Sequence, residues 1–384
     1  MKPLAGCRVL DLGIITAGAA TSAMLADFGA DVIKIESPSY RDPFRRWLSE
    51  QPADADPSRP PFFRATNRGK SGISLNLKHP LGREAFLRLV RSSDVVVENF
   101  RRGVLPKLGL DFETLRAANP AIILASISSQ GETGPDAGYV SYGSTLEAVA
   151  GLAWVTGYAD GPPILSGVDL NYPDQVVALF ASSMILTAWA DRARRKGGVH
   201  LDLPQRELTS FLSGEAFVAA GAGHEGGREG NAQAPYALQE CLRAADGKWI
   251  AVSVPQSAQS ALSGAGLSIA TLPEWISGHD TAHVLERLHA LGIAAAPAMN
   301  GHDVLAAGDA VWTHALQHTP AGDLAKGFPL QFEREPLMIT REAPAIGADT
   351  DAVLREVAGM TETEIEALYA ANVIERAPAA QGES

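Results

Sequence analysis

Between Arg8 and Glu36 the chain reads strand, small-residue turn, helix, strand. R-V-L-D-L at Arg8 and D-V-I-K-I-E at Asp31 are short apolar runs. G-I-I-T-A-G-A-A-T-S-A-M-L-A-D-F-G-A separates them, with its helix ending near Gly29. Two strands joined through a helix lie parallel, because the crossover carries the chain back before the second strand begins. The alternation goes on. Ile73, Leu75 and Leu77 alternate as in a half-buried strand, a helix covers Glu84–Arg91, and D-V-V-V-E at Asp94 is a buried strand. A further helix ends near Ala118, and Ala121–Ile127 is another strand. The expected fold class is α/β: a Rossmann-like doubly wound parallel sheet forms a large domain, accompanied by a smaller α+β domain. Sheets of this kind bind ligands beyond the carboxyl ends of their strands. Glu36 stands where dinucleotide folds keep a ribose-binding carboxylate. The turn, however, offers Gly13 and Gly18 and not G-x-G-x-x-G, which counts against a nicotinamide-dependent oxidoreductase.

A chain of 384 residues exceeds one ordinary core. A large domain is expected over 1–215 and a small one over 216–325, with the glycine-rich stretch Gly221–Pro235 marking the crossing. Trp249–Val254 and Ile293–Met299 read as strands of the small domain, the latter an edge because of Pro297. Thr361 caps a C-terminal amphipathic helix. The net charge of −12 argues against a nucleic-acid partner. Cys7 and Cys241 form neither a disulfide framework nor a zinc motif, so no metal is expected. Arg8 and Asp11 interrupt the first apolar run, which is therefore not read as a signal peptide. No uncharged apolar run reaches the roughly 20 residues of a membrane span. The expected setting is the cytoplasm, without a membrane partner.

Asp174 follows Pro173 and opens a long apolar run that ends in Arg192, Arg194 and Arg195. This is the pattern of a helix with an acidic first residue and a cationic last turn, matching the helix dipole at both ends. Asp174 reads in two ways. It is an N-cap contributing about 1 kcal/mol, or a carboxylate kept ionised by backbone N–H groups and able to act as a nucleophile. Thr145–Val155 reads as a buried helix. The long loop Ser37–Pro61 carries Arg41, Arg45 and Arg46, either a solvated face or cations that steer an anionic ligand.

R-V-L-D-L at Arg8, A-D-F-G-A-D-V-I-K-I-E at Ala26, N-R-G-K-S at Asn67, V-V-V-E-N-F-R-R-G-V-L at Val95, D-G-P-P at Asp160 and A-D-G-K-W-I-A at Ala245 occur in one order along nearly the whole chain. In that order and spacing the chain resembles the family III CoA-transferases, which include the α-methylacyl-CoA racemases. The resemblance implies a large domain built from both chain ends, to which 326–384 returns, and an interlocked homodimer. It implies acyl-CoA and a small carboxylic acid as substrates, with no tightly bound cofactor. It also implies an aspartate that attacks the thioester to give a mixed anhydride. That position falls on Asp174, with Asp169 as a second candidate. Matched residue by residue, CoA contacts fall on Ile15, Thr16, Ala17, Leu75, Lys78, Asn99, Phe100 and Lys107, with Arg41 or Arg101 as further phosphate partners. The racemases' His-Asp pair is replaced by Tyr142 and Gly143, which speaks against racemisation, the alternative activity. Gly230–Pro235 stands where some members carry a glycine-run lid. Glu147, near the same pocket, is read either as orienting substrate or as a solvated helix residue. Gly143, Ser144 and Ala148 are small residues that widen it.

Overall fold

The computed structural model describes residues 2–47, 60–167, 170–224, 226–308, 315–330, 332–333 and 336–376. Six strands form one parallel sheet: β1 (Arg8–Asp11), β2 (Asp31–Glu36), β3 (Ser71–Ser74), β4 (Val95–Glu98), β5 (Ile123–Ser126) and β6 (Val199–Asp202). Their spatial order is β3-β2-β1-β4-β5-β6, and every pairing is parallel. The order reverses between β1 and β4, which opens a crevice at the carboxyl ends of those two strands. The helices along this part of the chain are α1 (Ala17–Asp27), α2 (Pro61–Asn67), α3 (Pro80–Arg91), α4 (Val104–Lys107), α5 (Phe112–Ala118), α6 (Gly143–Val149), α7 (Leu152–Val155), α8 (Tyr172–Ala190) and α9 (Gln205–Phe211).

Alternation along the strands feeds two separate cores. Leu10, Ile33, Ile73, Val96 and Leu124 face α3, α5 and the two C-terminal helices, Thr350–Glu356 and Glu362–Ala370. Val9, Val32, Val95, Val97, Ile123 and Ala125 face α1 and α8. Burial on both faces is why β1, β2 and β4 are nearly continuous apolar runs. The strand expected to be half-buried around Ile73 differs for the same reason. It spans Ser71–Ser74, all four residues are buried, and Leu75 and Leu77 beyond its end also enter the core. Thr361 caps the last helix through a capping box with Glu364, as its position predicts.

The long helix differs from expectation at both ends. Its N-cap is Asn171, and Asp174 is its third residue, so Asp174 is not the cap. It stops at Ala190, and the arginines lie beyond it. Arg192 and Arg195 still reach back, donating to the carbonyls of Trp189 (2.8 Å) and Ala188 (2.9 Å). By length and composition the segment Tyr172–Ala193, mean hydropathy 1.3, could cross a membrane. Asp174 and Asp191 bound its uncharged stretch, Gln175–Ala190, which stays short of the roughly 20 residues of a span. Here it is a core helix with Val177, Ala178, Ala181 and Ile185 buried, while Leu179 and Met184 are exposed. The buried helix expected over Thr145–Val155 is two helices, α6 and α7, broken at Gly151, whose φ of 88° lies in the left-handed region.

The chain forms two compact units. The first holds residues 1–150, 166–214 and 314–384; the second holds Gly151–Leu165 and Glu215–Thr313. In the second unit an antiparallel sheet β7 (Tyr236–Arg243), β8 (Trp249–Pro255) and β9 (Ala294–Pro297) packs one face on three helices around Ile250, Val252, Leu272, Val284 and Leu288. Among the described residues β9 pairs only with β8, and it is the edge strand foreseen around Pro297.

Candidate active site

The turn after β1 is built from below by buried charges. Asp11, the last residue of β1, accepts the Gly13 N–H (2.8 Å) and pairs with Lys70 (2.8 Å). Lys70 spends its other two N–H groups on the Ala19 carbonyl and Asn67, each at 2.8 Å. Lys34 donates to the Gly13 carbonyl (2.5 Å) and pairs with Asp42 (3.2 Å). Asp42 in turn accepts the Ile15 N–H (3.1 Å). From across the switch point, Asn99 accepts the Ile14 N–H (2.8 Å) and donates to the Ile14 carbonyl (3.0 Å). The two lysines respond oppositely to burial. Desolvation pushes both down, but Asp42, Asp11 and Glu36 together carry Lys34 above the usual range. Lys70 has Asp11 as its nearby acid and Lys34 as a like charge, and it falls to about 8.

The turn so held is unusual. Ile15 has φ 59°, a genuine outlier for a β-branched residue. Strain of this kind persists only where neighbours over-determine it, here through Asp42 and Asn99. Gly13 and Gly18 serve close packing: a Cβ on Gly13 would lie 2.5 Å from the Gly18 carbonyl carbon, and one on Gly18 would lie 2.6 Å from Asn99 Oδ1. Glu36 is not free for a ribose. Arg45 grips it (2.5 Å) and the Asp42 N–H donates to it (3.0 Å). Burial pushes its carboxyl up, but Arg45 and Lys34 outweigh this and hold it below the usual range.

Asp174 meets this turn. Its half-buried carboxyl faces the Asn171 side chain and the Ala17 N–H at the start of α1, each of which favours its charged form. The expectation of a carboxylate held at low pKa by its helix is corrected. Loss of solvent outweighs both neighbours and raises Asp174 to about 6. Gly143, the first residue of α6, forms the opposite wall. A Cβ there would lie 3.4 Å from Asp174 Oδ2 and only 2.0 Å from Asn171 Oδ1. Gly143→Ala is therefore expected to destabilise the protein by about 1–3 kcal/mol, the cost of overpacking, read as a lower denaturant midpoint at unchanged slope. A midpoint equal to wild type would show that the wall yields freely.

The remaining sequence-nominated residues divide. Thr16 and Ala17 are buried beside Asp174, and Ile15 is half-buried on the same turn. Asn99 spends its side chain on that turn. Phe100 packs half-buried against the sheet, its N–H bonded to Glu98 (2.7 Å). Leu75 is wholly buried in the core, so its side chain is not on the surface of any site, whereas Lys78 and Lys107 are exposed. Arg41 is engaged by Glu375 (3.0 Å), and Arg101 donates to the Gly138 carbonyl (3.1 Å). Tyr142 is exposed. Glu147 is buried, not solvated, and accepts both the N–H and the hydroxyl of Ser166. Asp169 lies outside the described residues. In the second unit, Gly230 and Asn231 are bonded to Gly157 (2.9 Å) and Tyr158 (2.9 Å).

Two features escaped the sequence reading. Asn171, in the left-handed conformation (φ 47°, ψ 52°), gives no signal in an unaligned chain beyond its type, which tolerates that region. Glu98, at the carboxyl end of β4, is buried and raised to about 7 by desolvation, against hydrogen bonds from Ser126 and the Phe100 N–H. Its apolar neighbours in V-V-V-E were the available sign.

Comparison with known proteins finds relatives along nearly the whole chain. The model of CoA-transferase family III matches residues 4–263 and 258–350. The chain is 38% identical to succinate–glutarate CoA-transferase of Agrobacterium fabrum over 64% of its own length and 62% of that protein's. It is 29% identical to the beta subunit of succinyl-CoA–L-malate CoA-transferase of Chloroflexus aurantiacus over 97% of its own length and 98% of that protein's. The chain thus spans somewhat under two thirds of the first relative and nearly all of the second. A CAIB/BAIF family protein from Brucella suis superposes with a TM-score of 0.83 at 30% identity, covering 92% of this chain and 99% of that one. With a family match from Leu4 to Thr350, the chain belongs to the family III CoA-transferases.

Proposed function

We propose that this protein moves CoA from an acyl-CoA donor to a carboxylic acid acceptor, with Asp174 as the nucleophile. The observation that carries the reading is the placement of Asp174: a half-buried carboxyl raised to about 6, set beside Asn171 and Ala17 at the strained turn after β1. A more basic carboxylate is a better nucleophile, and at neutral pH this one is still mostly ionised. Its oxygen attacks the thioester carbonyl, the C–S bond breaks, and CoA leaves as thiolate, giving an aspartyl mixed anhydride. The thiolate then attacks the aspartyl carbonyl, releasing the donor acid. The acceptor carboxylate displaces CoA from the resulting aspartyl thioester, and CoA returns to the acceptor's acyl carbon, regenerating Asp174.

CoA would run along the crevice edge, with Ile15, Thr16 and Ala17 at the thioester end, Asn99 and Phe100 behind them, and Lys78 and Lys107 as exposed cations for the phosphates. Leu75 would contribute through its main chain. At the racemase base positions stand a tyrosine and a glycine, neither a base at neutral pH, which favours transfer over racemisation. Exposed Leu179 and Met184 on α8 and Phe211 on α9 form apolar surface that a second copy would cover, in keeping with the interlocked homodimer the family suggests. The unpaired cysteines suit a reducing cytoplasm.

The test is a screen of donors and acceptors followed by mass spectrometry of the acyl-CoA pool, beginning with succinyl-CoA because both named relatives use succinyl groups. Exchange that requires an acceptor acid supports the reading. Loss of the α-hydrogen with no exchange would replace it by racemisation. Because the ionised carboxylate attacks, kcat/KM is expected to fall tenfold per pH unit below about 6 and to level off above it. A profile flat down to pH 5 would mean that no group raised to about 6 is needed.

A further inference from the structure

Asn171 occupies the N-cap of α8, yet its side chain makes no cap hydrogen bond. An asparagine at that position ordinarily turns its oxygen onto the N–H groups of the first turn. Here the amide is turned away. Its Nδ2 donates to Thr16 Oγ1 at 3.2 Å, and the same side chain sits beside Asp174: a Cβ on Gly143 would lie 2.0 Å from Asn171 Oδ1 and 3.4 Å from Asp174 Oδ2. An NH2 group has two hydrogens, so one amide can serve Thr16 and Asp174 alike. The left-handed backbone aims the side chain in this direction, and the glycine at 143 leaves the space it fills.

We propose that Asn171 is a positioning residue for the Asp174 nucleophile, its amide tying one carboxylate oxygen to Thr16 on the β1 turn so that the other is presented to the thioester. This rests on Asp174 being the nucleophile. The helix forgoes a conventional cap, and what it gains is a carboxylate fixed relative to α1 rather than swinging on χ1 and χ2. Fixing a nucleophile in the attacking orientation raises the rate of the step without adding ground-state affinity for the substrate. Among the described residues, the groups facing Asp174 are few. α1 offers the Ala17 N–H and Thr16, α6 offers Gly143, and Glu147 on α6 is taken up by Ser166. On α8, the next residue, Gln175, accepts from Lys326 (2.9 Å).

The experiment compares wild type, Asn171→Gly and Thr16→Val. Glycine keeps the left-handed backbone and removes only the amide; valine removes the other end of the tie. Each is mixed with acetyl-CoA and with succinyl-CoA, quenched on the millisecond scale with hydroxylamine, and digested to quantify acyl trapping on the Asp174 peptide. For Asn171→Gly the trapping rate is expected to fall about 10- to 100-fold, the effect of losing a hydrogen bond to a charged group. The half-saturating acyl-CoA concentration should stay within about twofold, and the acid limb of the rate should move to higher pH because a donor to the carboxylate is gone. Thr16→Val is expected to slow trapping in the same direction, with melting temperatures of both variants near wild type. Trapping at the wild-type rate in both variants, with the adduct still on Asp174, overturns the role of Asn171 alone. No adduct on Asp174 in the wild type with either donor overturns the nucleophile reading and this inference with it.

Discussion

Replacement of Asp174 by alanine is expected to lower acyl-CoA exchange by at least about 10⁴-fold, on the scale seen when a covalent nucleophile is removed from an enzyme. The fold should survive, and it should gain stability at neutral pH. The sign follows from the raised pKa. An aspartate at 3.8 unfolded and about 6 folded takes up a proton on folding between those values. Its favourable contribution is complete below the unfolded value and is lost as pH rises through the folded one. Above about 6, burying the charge costs about 3 kcal/mol. Asp174→Asn, which keeps the shape, should therefore raise the denaturant midpoint at pH 7.5, and the gain should vanish near pH 4. Exchange within tenfold of wild type in the alanine variant would remove Asp174 from the reaction.

The second large effect lies beneath the site. Lys70 and Asp11 are both wholly buried. Lys70→Met leaves the Asp11 carboxylate without its direct cation, and removing one partner of a buried pair typically costs about 3–5 kcal/mol. Because Asp11 and Lys70 hold Gly13 and Ala19 at the two ends of the active turn, residual activity should fall along with stability. Urea denaturation of the first unit's signal measures the change, and a loss below about 1 kcal/mol would mean that Lys34 alone suffices to neutralise Asp11. The double variant with Asp11→Asn should recover part of the loss, since a neutral amide needs no counter-ion.

Much of the sheet could be read from the chain because its strands are buried on both faces. V-V-V-E and D-V-I-K-I-E admit little else, and the βαβ order leaves few arrangements. The charged residues inside those runs were harder to interpret. Lys34, Glu36 and Asp11 look like strand-end polar residues on paper, and their mutual pairing with Lys70, Arg45 and Asp42 is a product of three-dimensional register. That pairing is what makes Glu36 unavailable to a ribose and Arg45 unavailable to a phosphate. Asp174 was legible as an acid at a helix start but not as one set against α1, because the α1–α8 contact is between distant parts of the chain. Its raised pKa was illegible for the same reason. The helix dipole was visible locally, while the larger desolvation came from packing. β7 and the short hairpin strands Leu316–His318 and Leu324–Lys326 were missed because their exposed faces carry mixed polar residues, which dilutes the period-two signal.

The most direct measurement is peptide mapping of the wild-type enzyme after incubation with succinyl-CoA and hydroxylamine. A hydroxamate on the side chain of Asp174, absent without the acyl donor and accompanied by loss of activity, is the expected result. Undiminished exchange with no modified carboxyl, or a hydroxamate on any other residue, would contradict the account.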